Sequence, residues 1–388
     1  MKVALVRYRY SPHGGAERYL DGLLARLAGA EGMRACLLAA SWEGEGASVV
    51  PLVRIAVPPK PAPLRLFLFA RAVRVWADAH PDHLIFSLER VPGADVYRAG
   101  DGCHAEWMKR KKILRPRSWP VDYLRPLNLA YLCLEEALFT SPRLLSVIAN
   151  SERGRNEISL RFGVPRERIA VIRNGIDLAR FPPARRDAAS SALRSTLGIG
   201  ADETIFLYVG SGFARKGVGA LARATVRLAW TGAKFRVVVV GKGDAGPYRR
   251  ILREGSAEGR VHFTGPVAGA AEYLLAADAF VFPTIYEPFS NACLEAMAAG
   301  LPVITTEVNG VSEIMQDGVS GFIVDDPQDD ARIAARMEAL LCADTRRRMG
   351  EEARRAAAAF TPERNTTETL SVLEAAWRKK TGSGEGAR

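Results

Sequence analysis

Short apolar runs alternate with longer helical patterns along the whole chain, and this alternation limits the folds open to it. The apolar runs have the length and composition of strands, and they lie near Val3–Val6, Ala35–Ala39, Leu84–Leu88, Leu145–Ala149, Ile205–Val209, Arg236–Val240, Val261–Phe263, Phe280–Phe282 and Val303–Thr305. In the first half they alternate with helical patterns near Ala16–Leu27, Leu64–Ala79, Tyr123–Phe139 and Glu152–Arg161. Strands that are apolar on both faces and alternate with helices form parallel sheets covered by helices on both sides. The sequence therefore predicts an α/β protein.

The chain is too long for one hydrophobic core. It has 388 residues, whereas single cores stop growing at roughly 250 to 300 residues. Residues 177–189 contain Pro182-Pro183 and no apolar periodicity, which is typical of a linker. We therefore expect one domain over residues 1–180, a second over 181–362, and a helix near Glu363–Lys380 that belongs to a separate C-terminal segment, 363–388, ending in a flexible tail.

Composition and charge exclude several classes of protein. Five scattered cysteines without a C-x-x-C pair argue against a disulfide framework and a zinc site, so a reducing cytoplasm is expected. No apolar run reaches the 18 residues of a membrane span, and the N-terminal run is too short for a signal peptide. Residues 1–180 carry 28 Lys and Arg against 18 Asp and Glu, while residues 181–388 carry 26 against 25. An anionic partner is therefore expected to approach the first half.

The most informative motif is the stretch from Glu287 to Val303, EPFSNACLEAMAAGLPV. A helix is predicted from Asn291 to Ala299, ended by a glycine and a proline, and its N-terminus would present unpaired N–H groups to a phosphate. The loop Phe289-Ser290-Asn291 would form that phosphate site. Glu287 and Glu295, eight positions apart, would flank it and accept hydrogen bonds from ribose and sugar hydroxyls. An acidic loop beside a helix dipole is the simpler interpretation of such a pair.

This stretch resembles the nucleotide-sugar signature of the retaining GT-B glycosyltransferases, with Ser290 where glycine is usual. The resemblance implies an α/β GT-B fold of two doubly wound Rossmann-like domains that face a cleft, the first binding the acceptor and the second the nucleotide sugar. It also implies that the C-terminal helix packs back on the first domain. Ligands of such sheets bind beyond the carboxyl ends of the strands.

Two glycine-containing loops are candidate phosphate sites. Gly14 and Gly15 open a helix after the first strand, where a Gly-Gly pair is more often a simple turn, but the loop is similar to the first loop of the family. The second loop follows the strand that ends at Val209 and contains Arg215 and Lys216, two cations that could neutralise a diphosphate as its bond to the sugar breaks. Two exposed basic residues are the alternative. Lys216 is the stronger candidate, because Ser211 replaces an arginine that the family often has.

Three further segments match the family. Val267, in the loop after Val261–Phe263, resembles the border of the nucleobase site, and the segment Asn174–Asp177 resembles the family hinge, although it would also make an ordinary turn. The segment from Val91 to Glu106 is similar to the corresponding part of lipopolysaccharide core glucosyltransferases, enzymes of inner-core heptose. In that resemblance Asp101 accepts or orients the proton of the acceptor hydroxyl. A turn or cap residue is the alternative for Asp101, and His104 is expected to be structural.

A basic and aromatic segment follows directly. Its cations include Lys109, Arg110, Lys111, Lys112, Arg115 and Arg117, and Trp107, Trp119 and Tyr123 lie among them. Such a mixture is expected on an anionic membrane surface, to which each basic residue contributes about 1 kcal/mol. A solvated face or a site for single-stranded nucleic acid has the same composition. The lipid-linked acceptor implied by the family favours the membrane, and no nucleic-acid partner is expected.

The resemblance implies transfer of a hexose, glucose from UDP-glucose, with retention to a heptose of a lipid-linked core oligosaccharide. Asp101, Lys216 and Glu287 would be catalytic. The chain has no Asp-x-Asp motif in a suitable place, so we expect no metal and no cofactor apart from the UDP-sugar substrate. The protein would be cytoplasmic and peripheral on the inner face of the membrane. A retaining transferase for another lipid-linked or capsular acceptor, or a non-catalytic nucleotide-sugar-binding protein, is the alternative.

Overall fold

The computed structural model describes residues 1–10, 15–29, 32–42, 50–58, 61–114, 116–117 and 119–382. It divides into two compact units, Met1–Gly175 with Pro362–Arg388, and Ile176–Thr361. The sequence prediction set the boundaries at residues 180 and 362. Each unit has its own parallel sheet and core, as expected for the predicted α/β class.

The first unit contains a seven-stranded parallel sheet among its described residues. Its strands, together with the short pair β2 and β4, are β1 (Lys2–Val6), β2 (Arg9–Tyr10), β3 (Arg34–Ala39), β4 (Ser41–Trp42), β5 (Leu52–Arg54), β6 (Leu84–Ser87), β7 (Val96–Ala99), β8 (Ser146–Ala149) and β9 (Ile169–Val171). The spatial order is β5-β3-β1-β6-β7-β8-β9. Every pair is parallel; for example, Val3 lies opposite Leu84 and Ala35. The chain therefore proceeds outward from β1 and then restarts on its other side with β6.

Helices cover both faces of this sheet, and core clusters lie on each side. They are α1 (Gly15–Gly29), α2 (Ala62–Ala79), α3 (His104–Arg110), α4 (Trp119–Leu124), α5 (Pro126–Phe139) and α6 (Glu152–Phe162). The predicted helix over Tyr123–Phe139 was wrong at its start. Arg125 has extended backbone and Pro126 begins α5, since proline suits the first turn of a helix but disfavours helical backbone in the residue before it.

The second unit repeats the scheme with a six-stranded parallel sheet in the order β12-β11-β10-β13-β14-β15, counted over the part of the chain that the structure describes. The strands are β10 (Thr204–Val209), β11 (Phe235–Val240), β12 (Val261–Gly265), β13 (Ala279–Phe282), β14 (Val303–Thr306) and β15 (Gly321–Val324). The helices are α7 (Arg186–Leu197), α8 (Val218–Ala229), α9 (Gly246–Glu254), α10 (Ala271–Ala276), α11 (Asn291–Ala298), α12 (Asp330–Ala339) and α13 (Ala343–Ala358). Both predicted sheets are therefore confirmed as doubly wound parallel sheets.

The prediction of a linker over residues 177–189 was wrong. Short 3₁₀ turns, Leu178–Arg180 and Pro183–Arg185, lead directly into α7. Phe181 between them is only 1% exposed and belongs to the core of the second unit. Arg354 donates a hydrogen bond to the Phe181 carbonyl at 2.9 Å. The prolines and charged residues of this segment show no apolar periodicity, so the burial of one aromatic side chain, Phe181, could not be predicted from the pattern.

The last helix, α14 (Pro362–Thr381), packs on the first unit. Leu373 and Ala376 are fully buried in the same cluster as Val3 and Leu84. Its last turn is fixed by an ion pair, in which Lys380 Nζ lies 2.7 Å from Asp95 Oδ2. Asp95 is itself buried and accepts hydrogen bonds from the Ile85 amide and from Arg143. Hydrophobic contact and a buried ion pair therefore both hold α14 to this unit.

Candidate functional site

The strand order of the second unit reverses between β10 and β13. The chain runs from β10 outward to β12 and then returns to the other side of β10 with β13. All strands are parallel, so their carboxyl ends share one edge. Loops that leave two neighbouring strands in opposite directions open a crevice at such a point, where α/β sheets bind ligands. The predicted residues Arg215 and Lys216 follow β10, and Glu287 follows β13.

The loop between β10 and α8 is fixed to the chain that follows β13. The Arg215 carbonyl accepts hydrogen bonds from the Ile285 amide at 2.9 Å and from Thr284 Oγ1 at 3.2 Å. Gly217 has φ of +83°, and a Cβ there would lie 1.8 Å from the Pro283 carbonyl oxygen. Only glycine fits that approach. The loop therefore brings the side chains of residues 215 and 216 to the end of β13.

Arg215, Lys216 and Glu287 meet at one carboxylate oxygen. Arg215 Nη2 lies 3.6 Å and Lys216 Nζ lies 3.7 Å from Glu287 Oε2, and the glutamate side chain is only 13% exposed. Lys216 also lies over the ring of Phe282 at 5.5 Å. The Glu287 carbonyl accepts from the Gly310 amide at 3.0 Å, which fixes the backbone. This arrangement holds two cations beside a carboxylate at ion-pair distances without a hydrogen bond between them.

The N-terminus of α11 differs from the predicted phosphate site in one respect. The Ser290 hydroxyl accepts a hydrogen bond from the Cys293 amide at 3.2 Å and caps the helix, and the Ser290 amide donates to Asn309 Oδ1 at 3.2 Å. Both polar groups of Ser290 therefore have protein partners. Phe289 is 3% exposed and packs in the core. In the predicted Phe289-Ser290-Asn291 loop the amide and hydroxyl of Ser290 are therefore engaged within the protein, and the start of α11 remains the candidate phosphate site by helix geometry.

Asn309 is a site residue that the sequence prediction missed. It is fully buried just beyond β14, and its amide group donates to Thr305 Oγ1 at 3.0 Å and accepts from the Val311 amide at 3.3 Å. Together with the bond to Ser290, these contacts connect the end of β14 to the start of α11. The available signal was its position, since polar residues just after a buried parallel strand lie at the ligand-binding edge.

Glu295 and Val267 lie in different surroundings from Glu287. The Glu295 side chain is 14% exposed, and Arg180 Nη1 lies 3.2 Å from its Oε1. Arg180 was another residue missed by the sequence analysis, because the segment around it was interpreted as a linker. Val267 is half-buried beyond β12, at the outer edge of the sheet, and packs against the core of this unit. Gly14 lies outside the described residues, and Gly15 is the first residue of α1.

The first unit has a charged cluster at the equivalent point of its own sheet, where the order reverses between β1 and β6. Glu89, just beyond β6, accepts a hydrogen bond from the Tyr8 amide at 3.0 Å and lies 3.3 Å from Arg7 Nη1. Burial raises the pKa of Glu89 above its usual value, and the neighbouring charge of Asp101 raises it further. Asp101 is exposed between β7 and α3. Asp101 was predicted from the sequence, whereas Glu89 was not.

Glu135 forms the buried base of this cluster. Its carboxylate accepts hydrogen bonds from the amides of His104 at 2.7 Å and Ala105 at 2.9 Å, so it caps α3, and Arg90 Nε lies 3.0 Å from the same group. Burial lowers the pKa of His104 to about 4. The imidazole is therefore neutral at physiological pH. His104 packs against the ring of Tyr131 at 5.1 Å between centroids, as a structural residue would.

The predicted basic segment is only partly exposed. Lys111 is 18% exposed and pairs with the buried carboxylate of Asp122 at 3.0 Å, so it is a structural cation and not a surface one. Lys109, Lys112 and Arg117 are exposed, Arg110 is half-buried and Arg115 lies outside the described residues. Exposed apolar side chains lie among these cations or shortly after them in the sequence and include Ile113, Val121, Leu124 and Leu127. No helix among the described residues is long and apolar enough to span a membrane.

The described residues contain no group of three or more His, Cys, Asp or Glu side chains that could hold a metal ion. Among the described residues of the second unit, Arg215 and Lys216 supply the cations beside Glu287, and Arg180 supplies one beside Glu295. Two positive charges beside a helix N-terminus can bind a diphosphate by charge-assisted hydrogen bonds. The arrangement is thus suited to a leaving group that is a nucleoside diphosphate.

Comparisons with known proteins agree with this geometry. The family model described as "Glycosyl transferases group 1" matches residues 203–343, and the model "Glycosyltransferase Family 4" matches residues 13–180. The lipopolysaccharide glucosyltransferase WaaG of Escherichia coli strain K12 is 26% identical over 331 residues, which cover 84% of this chain and 86% of that protein.

Solved structures share the fold. A crystal structure of WaaG, a glycosyltransferase involved in lipopolysaccharide biosynthesis, superposes with a TM-score of 0.78 at 24% identity and covers 98% of this chain and 100% of that one. Anabaena Alr3699/HepE, crystallised with UDP-glucose, superposes with a TM-score of 0.72 at 19% identity, covering 97% and 100%. The chain belongs to the GT-B glycosyltransferases. It is therefore a transferase, as the sequence predicted.

Proposed function

We propose that this protein transfers a hexose from a UDP-sugar, in the first instance UDP-glucose, to a heptose of the lipopolysaccharide core with retention of anomeric configuration. The observation that carries the proposal is the meeting of Arg215 and Lys216 at the Glu287 carboxylate. Likeness to WaaG along most of both chains supports the choice of donor and acceptor. HepE, which was crystallised with UDP-glucose, supports a nucleotide sugar.

In the proposed reaction the bond between C1 of the hexose and the β-phosphate oxygen breaks, and a bond from C1 to the acceptor oxygen forms on the same face. The acceptor proton passes to the departing phosphate oxygen. Lys216 and Arg215 stabilise the negative charge that grows on the diphosphate, which is the main electrostatic requirement of the step. Glu287 and Glu295 accept hydrogen bonds from donor hydroxyls. Asp101 orients the acceptor hydroxyl in the first unit. No metal and no further cofactor are required.

A transfer assay with purified protein tests the proposal. UDP-glucose, UDP-galactose and GDP-mannose are offered with lipopolysaccharide truncated at the inner-core heptose, and proton NMR of the product determines the new anomeric configuration. We expect α-linked glucose on heptose, an unchanged rate in EDTA, and loss of transfer in Glu287→Gln. Transfer only to a capsular or phosphoinositol lipid would show that the acceptor is that lipid and not the core heptose. Binding of UDP-glucose without transfer to any acceptor would favour the non-catalytic alternative.

We also propose that the basic segment holds the protein to the inner face of the cytoplasmic membrane. Lys109, Lys112 and Arg117 are exposed, with Val121 and Leu124 near them in sequence, so charge attraction and apolar insertion are both available. Replacing these three cations by glutamine should weaken binding to anionic vesicles by about 3 kcal/mol, or roughly two orders of magnitude. Lys111 is left unchanged, because its loss would remove one of the two cations that pair with the buried Asp122 carboxylate.

The matched control replaces three exposed cations of the second unit, Lys234, Arg250 and Arg348, by glutamine. Co-sedimentation with anionic and neutral vesicles at two salt concentrations distinguishes the outcomes. The proposal expects binding to anionic vesicles that fades with salt, is lost in the first variant and is kept in the control. Equal loss in both variants would mean that only net charge matters. Salt-sensitive binding to single-stranded nucleic acid at similar affinity would assign the segment to that partner instead.

A further inference from the structure

Two buried polar atoms of the candidate donor site have no hydrogen-bond partner among the described residues. They are the hydroxyl oxygen of Tyr208 and Oε2 of Glu287. One is a hydrogen-bond donor and the other an acceptor. Buried polar groups are almost always paired in native proteins, so each such exception requires an explanation.

The Tyr208 ring is held rigidly in the core of the second unit. It lies near the end of β10, is fully buried, and stacks on Phe282 with centroids 5.4 Å apart and rings 21° from parallel. The edge of Phe213 packs against it at 6.1 Å. Phenylalanine would make the same ring contacts, so packing alone does not account for the hydroxyl.

The Tyr208 hydroxyl lies near the side chain of Lys216. A Cβ built on Gly210 would lie 3.3 Å from the Tyr208 oxygen and 3.1 Å from Cδ of Lys216, so these two atoms flank the same position. The other end of the Lys216 side chain lies 3.7 Å from Glu287 Oε2. Tyr208, Lys216 and Glu287 are thus consecutive neighbours. Burial raises the pKa of Tyr208 well above its usual value, and the nearby charge of Glu287 raises it further. The hydroxyl therefore keeps its proton.

We propose that Tyr208 is a positioning residue for the donor sugar, an inference that rests on the proposed function. When a nucleoside diphosphate binds, its charge draws Arg215 and Lys216 away from Glu287. The Tyr208 hydroxyl then donates a hydrogen bond to Glu287 Oε2 and holds the carboxylate in place. The other carboxylate oxygen of Glu287 is left to accept a hydrogen bond from a hydroxyl of the hexose.

Calorimetric titration with UDP and with UDP-glucose tests this inference in the full-length protein. Tyr208→Phe removes one oxygen atom and keeps the ring. We expect its affinity for UDP to stay within about twofold, because the diphosphate contacts remain. Its affinity for UDP-glucose and the kcat/KM of transfer should fall about ten- to hundredfold, the usual effect of losing a hydrogen bond to a charged group. The thermal midpoint should stay the same or rise, since an unpaired buried hydroxyl is removed.

Tyr273→Phe, on α10, is the matched control and should leave both affinities unchanged; Tyr273 is half-buried against the same core. Equal loss of UDP and UDP-glucose binding in Tyr208→Phe, or no loss of either, would overturn the inference. Glu287→Gln separates it from the proposed function. If Glu287→Gln weakens UDP-glucose binding but Tyr208→Phe does not, only the role of Tyr208 is refuted. If neither variant weakens it, the assignment of the donor site is refuted as well.

Discussion

Replacing Lys216 by methionine should abolish most transfer while leaving the fold intact. Methionine keeps the unbranched apolar stem that lies close to Gly210 and loses only the ammonium group over the Phe282 ring, so most of the packing of this loop is retained. What is lost is one positive charge 3.7 Å from the Glu287 carboxylate. At that distance two unit charges interact by about 4 kcal/mol with an effective dielectric constant of 20.

The same charge would act on the diphosphate in the transition state. Losing one preorganised charge contact in a desolvated site costs about 2.7 to 4 kcal/mol, so kcat should fall about 10²- to 10³-fold. In the free protein Lys216 is 21% exposed, and Arg215 remains 3.6 Å from the same carboxylate oxygen. The free energy of unfolding should therefore change by less than about 1 kcal/mol, which corresponds to a midpoint shift below about 4 °C.

Transfer from UDP-glucose, measured by the release of UDP, gives the rate, and differential scanning fluorimetry gives the thermal midpoint. Lys234→Met is the matched control, since the Lys234 side chain is 71% exposed and pairs with Asp202 on the surface of the same unit. It should retain the wild-type rate. A Lys216→Met protein with the wild-type rate would refute the assignment of the diphosphate site. A midpoint that fell by 10 °C or more would show that the loss of activity reflects unfolding.

Three further predictions concern stability. Gly217→Ala should destabilise the second unit strongly, since its Cβ would lie 1.8 Å from the Pro283 carbonyl oxygen. Gly232 has a similar positive φ but no atom within 4 Å of its Cβ position, so Gly232→Ala should lower the free energy of unfolding by only about 1 to 2 kcal/mol. Urea denaturation measures both. Lys380→Met should lower the free energy of unfolding by about 1 to 3 kcal/mol, because it leaves the buried Asp95 carboxylate with fewer donors. Hydrogen exchange at the end of α14 should increase, and unchanged exchange would contradict this prediction. The pKa of His104 falls to about 4 in the folded state against about 6.5 unfolded, so the unfolded chain binds more protons between these values and stability should drop by about 2 kcal/mol from pH 7 to pH 5. His104→Gln should remove that part of the pH dependence, and a variant with the wild-type slope would refute it.

The sequence predicted most of the central strands of both sheets because each is a continuous apolar run, but it missed β7, whose run is interrupted by Arg98. β1, β6, β10 and β11 are all buried along their length, and a fully buried parallel strand needs no alternation. The other strands that were missed are short or lie toward the edges. β5 has only three residues, two of which are exposed, and β15 begins with Gly321, whose φ of +144° no ordinary strand pattern suggests.

The site was predictable where charge and position in the sequence coincide. Arg215, Lys216 and Glu287 each follow a predicted strand within a few residues, and the parallel sheet brings them to one edge. Arg180 and Asn309 were not predictable in this way. Their roles depend on a 3₁₀ turn and on a fully buried amide, and neither feature leaves a periodic signal.

The two units place a carboxylate and a cation at the same topological point, yet the two pairs are built differently. Glu89 in the first unit accepts a hydrogen bond from the Tyr8 backbone amide as well as pairing with Arg7, so the fold itself satisfies it. In the second unit Glu287 Oε2 has two cations within 4 Å and no hydrogen bond. Separating such an ion pair costs less free energy than separating one that is also hydrogen-bonded. Ligand charge can therefore exchange partners with Glu287 more readily than with Glu89. This difference makes the second unit the one suited to binding a diphosphate.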